Sequence, residues 1–239
     1  IRHDLGEYYT PDWLANPKGF ALSPHIPLSA QPLLDGASQR PVQWYFDNLL
    51  PEEDQRVLLA KDARLDAADA FGLLAWYGAE SAGSLTLLPP EAAPQTTEPL
   101  RPLPDDALQA RIRQLPRAPL THAAVKRMSL AGAQHKLAVV LQDGALFEPA
   151  GATPSTHILK PDHPDADYPH SVINEWFVMR LARRLGLDVP EVHRRYVPSP
   201  VYLIARFDRI AGEQGWQRRH AIDACQLLGL DRSFKYTQG

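Results

Sequence analysis

An α+β chain in two parts is predicted, and three observations predict it. Residues 42–77 carry successive helical patterns, a proline-dense stretch then breaks regular structure, and beyond it apolar strands come first and helices later. Between Pro89 and Pro119 lie Pro90, Pro94, Pro99, Pro102, Pro104 and Pro116. Proline removes a backbone donor and fixes φ, so such density argues for a semi-rigid spacer. The expected division is a small α+β domain over 1–88, a Pro-rich linker over 89–119, and a second domain from 120 to 239.

Each element has its own reason. Val42 to Leu50 is expected to be a buried helix, and Pro51 opens the next, with Glu52, Glu53 and Asp54 at the favourable end of its dipole. A third helix is expected from Asp66, its cap, to Tyr77, where Gly78 stops it. Ser84 to Leu88 looks like a strand. Within the linker, Leu108, Ile112 and Leu115 repeat at helical spacing, so a short helix from Asp105 to Gln114 is expected. Leu137 to Leu141 is an apolar strand, turned by Gln142-Asp143-Gly144 into Ala145-Leu146-Phe147. Another strand ends at His157-Ile158-Leu159-Lys160, closed by Pro161. From Val172 to Leu185 the positions Ile173, Trp176, Phe177, Leu181 and Leu185 share a face expected to be buried, and Gly186 ends the helix. Val201 to Phe207 is expected as a buried strand, and Ala221 to Leu228 as a short helix closed by Gly229.

Bulk properties exclude little. The 239 residues are 44% hydrophobic and 22% charged, with net charge −3, so nothing demands nucleic acid or an anionic membrane as a partner. No apolar run approaches the roughly 20 residues of a membrane span. Cys225 is the only cysteine, which rules out an intramolecular disulfide and makes a reducing, cytoplasmic setting the simplest expectation. The chain opens at Ile1 and stops at Gly239 with no run-out tail, as if both ends were cut from something longer.

Several residues have the chemistry of a site. Ser129-Leu130-Ala131-Gly132-Ala133-Gln134-His135-Lys136 precedes a strand; its small residues permit close approach, and successive amides can form an anion-binding nest. An ordinary tight loop is the competing reading. Lys160, at a strand end, has the position from which kinase lysines reach nucleotide phosphates, although strand-end lysines are more often solvated. Glu175, fifteen residues on, is either its helical partner or a surface carboxylate. Asp162, His163, Asp165, Asp167 and His170 include metal-ligand types but lack fixed spacing, so a solvated loop and no metal site is expected there. Arg206, Asp208, Arg209, Arg218, Arg219 and His220 are expected to form a solvated, self-paired hairpin region.

Read together, the motifs resemble those of HipA-type serine/threonine kinases. The order is Ser129 to Lys136, His157 to Pro161, Asn174-Glu175, Arg206-Phe207-Asp208-Arg209, Asp223-Ala224-Cys225-Gln226 and Lys235-Tyr236, with Phe46 to Glu52 resembling the signature of that family's small N-terminal domain. The resemblance implies a protein-kinase-like fold, of which the chain would hold the nucleotide-cradling lobe and lack the C-lobe. It implies ATP and Mg2+ as cofactors and phosphorylation of serine or threonine on a protein substrate, the best-known being an aminoacyl-tRNA synthetase. It also implies a HipB-like helix-turn-helix antitoxin as partner, with DNA bound only through that antitoxin and no membrane. By position, Ala131, Gly132, Ala133 and Gln134 match the phosphate-cradling loop, Lys160 the phosphate lysine, Arg206-Phe207 the adenine-lining segment, and Ser129 the loop serine that is autophosphorylated. Ala205 stands where the family commonly has glutamate, as do Ile222 and Thr237. The catalytic aspartate and the metal ligands are expected beyond Gly239, so the chain itself is expected to be inactive. The alternatives are a non-catalytic module binding antitoxin or target, and a nucleotide-binding pseudokinase.

Overall fold

The computed structural model describes residues 6–7, 9–89, 92, 95–213 and 215–235. Pro90, Pro94, Tyr236 and Thr237, all used in the sequence reading, lie outside them. In chain order the elements are β1 (Gly6–Glu7), α1 (Pro11–Ala15), β2 (Leu33–Leu34), α2 (Pro41–Asp47), α3 (Glu53–Ala63), α4 (Ala70–Tyr77), β3 (Arg101–Pro102) and α5 (Asp105–Ile112). There follow β4 (Leu137–Gln142), β5 (Ala145–Glu148), β6 (His157–Pro161), α6 (Ser171–Arg184), β7 (Val192–Tyr196), β8 (Pro200–Ala205), β9 (Arg209–Gly212), β10 (Gly215–Arg218) and α7 (Ala224–Leu228). The chain forms two compact units, one from Ile1–Leu50 with Ala221–Gly239 and one from Pro51–His220.

In the first unit segments from early and late in the chain come together. Pro41 begins α2, and Asp35 accepts from the amides of Val42 and Gln43 at 2.9 and 2.8 Å, satisfying donors that a helix start leaves open. On α7, Asp223 and Gln226 form a reciprocal capping box, and Gly229 ends the helix at φ 66°. The two helices are tied together by Gln226 Nε2 donating to the Tyr45 carbonyl at 2.8 Å and Asn48 Nδ2 donating to the Leu230 carbonyl at 3.0 Å.

The second unit is organised by a six-stranded antiparallel sheet in the order β3-β5-β4-β6-β8-β7. The β4–β5 turn places Asp143 at φ 50° and Gly144 at φ 77°, the left-handed pair that lets a two-residue hairpin follow the strand twist. On one face Leu137, Leu159 and Leu203 stand opposite one another across β4, β6 and β8, all buried. Leu108 of α5, Leu120 and Met128 join that core. On the other face α6 packs through Val172, Trp176 and Met179 onto Val192, Tyr202 and Ile204.

Several expectations are corrected. Pro51 does not open a helix: α3 begins at Glu53, and Pro51 forms a parallel bridge with Gly132. Asp69 rather than Asp66 caps α4, accepting from the Gly72 amide at 2.9 Å, while Asp66 forms a local turn with Ala68. Ser84 to Leu88 is not a strand; the Leu87 amide bonds back to the Gly78 carbonyl, and the sheet-like contact sits earlier, as a bridge between Glu80 and Met128. Pro161 does not close β6 from outside but is its last paired residue, opposite Val201. Residues 101–112 are more than spacer, since β3 pairs with β5 and Leu108 is fully buried.

The largest correction concerns α6. Ile173, Phe177, Leu181 and Leu185, expected in the core, are 38 to 72% exposed. Trp176, from the expected face, does pack on the sheet, but beside Val172 and Met179, because a helix rich in apolar residues on several sides can bury only one against a sheet.

Candidate functional site

Side chains alternate along β6, so Lys160 points away from the Leu159 core and towards α6. Glu175 lies three residues after Val172 and four before Met179, on the side of α6 that meets the sheet. The outcome is a Lys160 Nζ–Glu175 Oε2 ion pair of 2.7 Å, with the ammonium also 5.9 Å from the centre of the Tyr202 ring. Both side chains are about a quarter exposed, so the pair is reachable by a ligand.

The small-residue loop is fastened at several points. Ser129 is fully buried, and its amide donates to the Glu80 carbonyl at 2.8 Å. Lys136 Nζ turns back to the Ala131 carbonyl at 2.7 Å. Gly132 sits at φ 103°, where a Cβ would be strained and would stand 2.7 Å from Lys136 Nζ, so this bend requires glycine. Ala133, Gln134 and His135 line a cavity of about 1220 Å³ together with His163, Asn174 and Glu175. The loop and the Lys160–Glu175 pair thus border one space, Glu175 directly and Lys160 through its partner. Glu53, Asp54, Asp165 and Asp167 also line it against Lys61, so its wall is acidic outside the loop.

Arg206 and Phe207 are not among the residues lining that cavity. Phe207 is 70% exposed, and the Arg206 guanidinium is buried, donating to Asp208, Glu80, Ser155 and the Ser81 carbonyl. The hairpin and its self-pairing are present, but the expected solvation is corrected: Arg206, Arg209 and Arg218 converge on Glu80, which is fully buried, and Asp208 pairs with Arg206 and Arg209. Arg219 alone keeps the exposed position expected of it, and the His220 ring meets Ser84 Oγ at 3.2 Å. Nothing in the sequence around Glu80 marked it, since its partners Arg206, Arg209 and Arg218 are 126 to 138 residues away.

The aspartate-rich loop is folded on itself. Asp162 accepts from the Val172 amide at 2.8 Å, Ser171 Oγ accepts from the His163 amide at 2.9 Å, and Asp165 accepts from the Asp167 amide at 3.0 Å. These bonds hold the start of α6, where His170 adopts a left-handed backbone at φ 58°.

Within the loop, His135 has an environment of its own. It is 6% exposed, its Nε2 meets Gln55 Nε2 at 3.0 Å, and burial, then the charges of His163 and Lys136, push its pKa down to about 4. Between that value and its ordinary 6.5, the unfolded chain binds a proton that the folded chain refuses. Stability is therefore present above pH 6.5 and lost as pH falls towards 4, by an amount on the order of 2–3 kcal/mol. Urea unfolding at pH 7 and pH 4.5 should show this loss, and His135→Gln should shrink it; an undiminished loss in the variant would refute the assignment.

Residues 5–88 match the family described as HipA N-terminal domain, and residues 128–239 match the HipA-like C-terminal domain. The chain belongs to the HipA family. Among HipA-family relatives, putative kinase Y4mE of Sinorhizobium fredii is 40% identical over 98% of this chain and 57% of its own length. Serine/threonine-protein kinase toxin HipA of Shewanella oneidensis is 35% identical over 96% of this chain and 51% of its own length. A solved HipA chain from the Shewanella oneidensis MR-1 complex of HipA, HipB and operator DNA superposes with TM-score 0.74 at 33% identity. That match covers 97% of this chain and 54% of the solved one. The α+β fold with its mainly antiparallel sheet is therefore that of HipA, and the chain spans about half the length of the relatives it matches. Among the described residues no helix is long and apolar enough to cross a membrane.

Proposed function

We propose that this chain is the N-terminal portion of an ATP-dependent serine/threonine protein kinase toxin, and that the Ser129–Lys136 loop with Lys160 holds the nucleotide phosphates. The observation that carries this reading is the 2.7 Å Lys160–Glu175 pair beside a cavity that the loop also lines. In protein kinases a strand lysine fixed by a helix glutamate is what aligns the phosphates. ATP bound with magnesium supplies the phosphoryl group. Around it, the amides of Ala131, Gly132, Ala133 and Gln134 donate to phosphate oxygens, and Glu175 steadies the Lys160 ammonium against them. The glycine-only bend at Gly132 fits such close approach. The acidic wall favours a phosphate chain already neutralised by a divalent cation, because bare polyphosphate would meet like charge there.

With the Arg206 side chain committed to the buried cluster and its amide donated to the Thr156 carbonyl, an adenine role for this segment is left to Phe207, whose side chain is exposed. We place a HipA N-terminal-type domain at 1–88 and the nucleotide-cradling lobe at 120–239, with the segment 89–119 between them lending β3 and α5 to the sheet-bearing unit. The catalytic aspartate and the magnesium ligands belong, on this reading, to the half of the full-length relatives that the chain does not match. Residues 1–239 alone would then hold nucleotide without transferring phosphate. The partners proposed are a protein substrate and a HipB-like antitoxin, through which DNA would be reached, in a cytoplasmic setting. Calorimetric titration of the complete protein with ATP and magnesium, followed by phosphate transfer to protein, is the deciding test. No binding at millimolar ATP would sink the reading, and binding without any transfer would favour a pseudokinase.

Ser129 is proposed as the autophosphorylation site. Being fully buried, it can meet ATP only after the loop has left its seat, and a phosphate carrying −1.5 to −2 charge would oppose its return. Wild-type activity should decay during preincubation with ATP while that of Ser129→Ala persists; equal decay in both would count against it.

A further inference from the structure

Glu80 lies outside every motif so far given a role, yet it joins three segments of the sheet-bearing unit. Its carboxylate meets Arg218 at 2.7 Å, Arg209 at 2.9 Å, Lys126 at 3.1 Å and Arg206 at 3.3 Å, and accepts from Ser155 Oγ at 2.7 Å. Burial alone would push the Glu80 carboxyl up, but Arg218, Lys126, Arg206 and Arg209 together hold it well below the usual carboxylate range. The backbone of Glu80 is engaged as well: it bridges Met128, and its carbonyl takes the Ser129 amide. The entry of the loop is thus gripped twice by one residue, through the Lys126 ammonium and through the Ser129 amide.

The same cluster grips the 206–209 segment. Asp208 accepts from the Gly83 amide at 2.7 Å, while Arg206 and Arg209 donate to the Ser81 and Gly83 carbonyls at 2.9 and 2.8 Å. Four cations meet Glu80, and of these only Arg206 and Arg209 also meet Asp208, so neutralising Glu80 would take from Lys126 and Arg218 the one carboxylate they meet in this cluster. A buried charge cluster is costly unless every member is paired, which makes it sensitive to the loss of one.

We propose that Glu80 is a positioning residue, which sets the entry of the Ser129–Lys136 loop against the 206–209 segment and so holds the loop in its seated conformation. The inference rests on the nucleotide reading for its functional meaning, but its test does not need nucleotide. Hydrogen exchange of the complete protein without ATP should show the amides of Met128 to Gly132 exchanging about tenfold faster in Glu80→Gln, with strands β7 and β8 unchanged. Neutralising Glu80 risks unfolding the unit, so Lys126→Met is the second variant. It removes one grip on the loop and one of the excess cations, and should give the same local acceleration, which Lys126→Arg should reverse. With nucleotide present, both destabilising variants should raise KM for ATP more than they lower kcat. An unchanged Ser129 amide in folded variants, acceleration spread evenly over the sheet, or global unfolding of Lys126→Met would each overturn the proposal. Failure of the wild-type protein to bind ATP would sink the nucleotide reading and leave the exchange result standing.

Discussion

Lys160→Met is expected to leave the fold intact while reducing phosphoryl transfer by the complete protein by at least about 10²-fold. The two halves of that expectation have separate causes. The Lys160–Glu175 pair is partly exposed, and such pairs contribute about 0–1 kcal/mol to stability, so unfolding midpoints should barely move. Methionine also retains the aliphatic length that lies beside Tyr202 on the sheet face. What it lacks is the ammonium, and a charge-assisted contact with phosphate contributes about 1.5–3 kcal/mol, or roughly 10- to 100-fold in ATP affinity. Titration with ATP and magnesium beside a urea melt separates the two effects. A variant that binds and transfers like wild type would remove Lys160 from the site. Glu175→Gln should act in the same direction but more weakly, since it leaves the ammonium in place and only loosens its aim.

Leu159→Ala, one residue earlier on β6, is expected to do the opposite: destabilise the sheet-bearing unit by about 2–5 kcal/mol. Leu159 is fully buried between Leu137 and Leu203 across the strands, and removing its branched end leaves a hole that neighbouring strands cannot close. The urea midpoint should fall with little change in slope. Phe177→Ala on α6 provides the contrast. At 58% exposure its loss should move the midpoint by no more than about 0.5 kcal/mol, despite the larger side chain removed. A large loss for Phe177→Ala would mean that the outward face of α6 is buried after all.

Adjacent positions therefore serve different ends because β6 alternates between its faces. That alternation was legible in the sequence wherever the signal was local. Asp143-Gly144 between apolar runs announced the β4–β5 hairpin, and a lysine at a strand end followed fifteen residues later by a helical glutamate announced the pair now seen at 2.7 Å. Helix starts were less secure, because Asp66 and Asp69 are both good caps and only the bond to Gly72 distinguishes them. The covered face of α6 is not legible in the sequence, since a 3.6-residue period shows that a helix is amphipathic but not what covers it.

From the sequence alone come the α+β class, the central strands, the glycine-dependent loop and the resemblance to the HipA family, all carried by residues close together along the chain. Tertiary structure alone decided that the first compact unit is assembled from segments early and late in the chain. It also decided that Arg206 and Arg209 turn inward to Glu80 rather than out to solvent. The physical reason is common to both. A charged side chain or a terminal segment has no local pattern that reveals its partner, and burial of a charge becomes favourable only where distant segments bring opposite charges together.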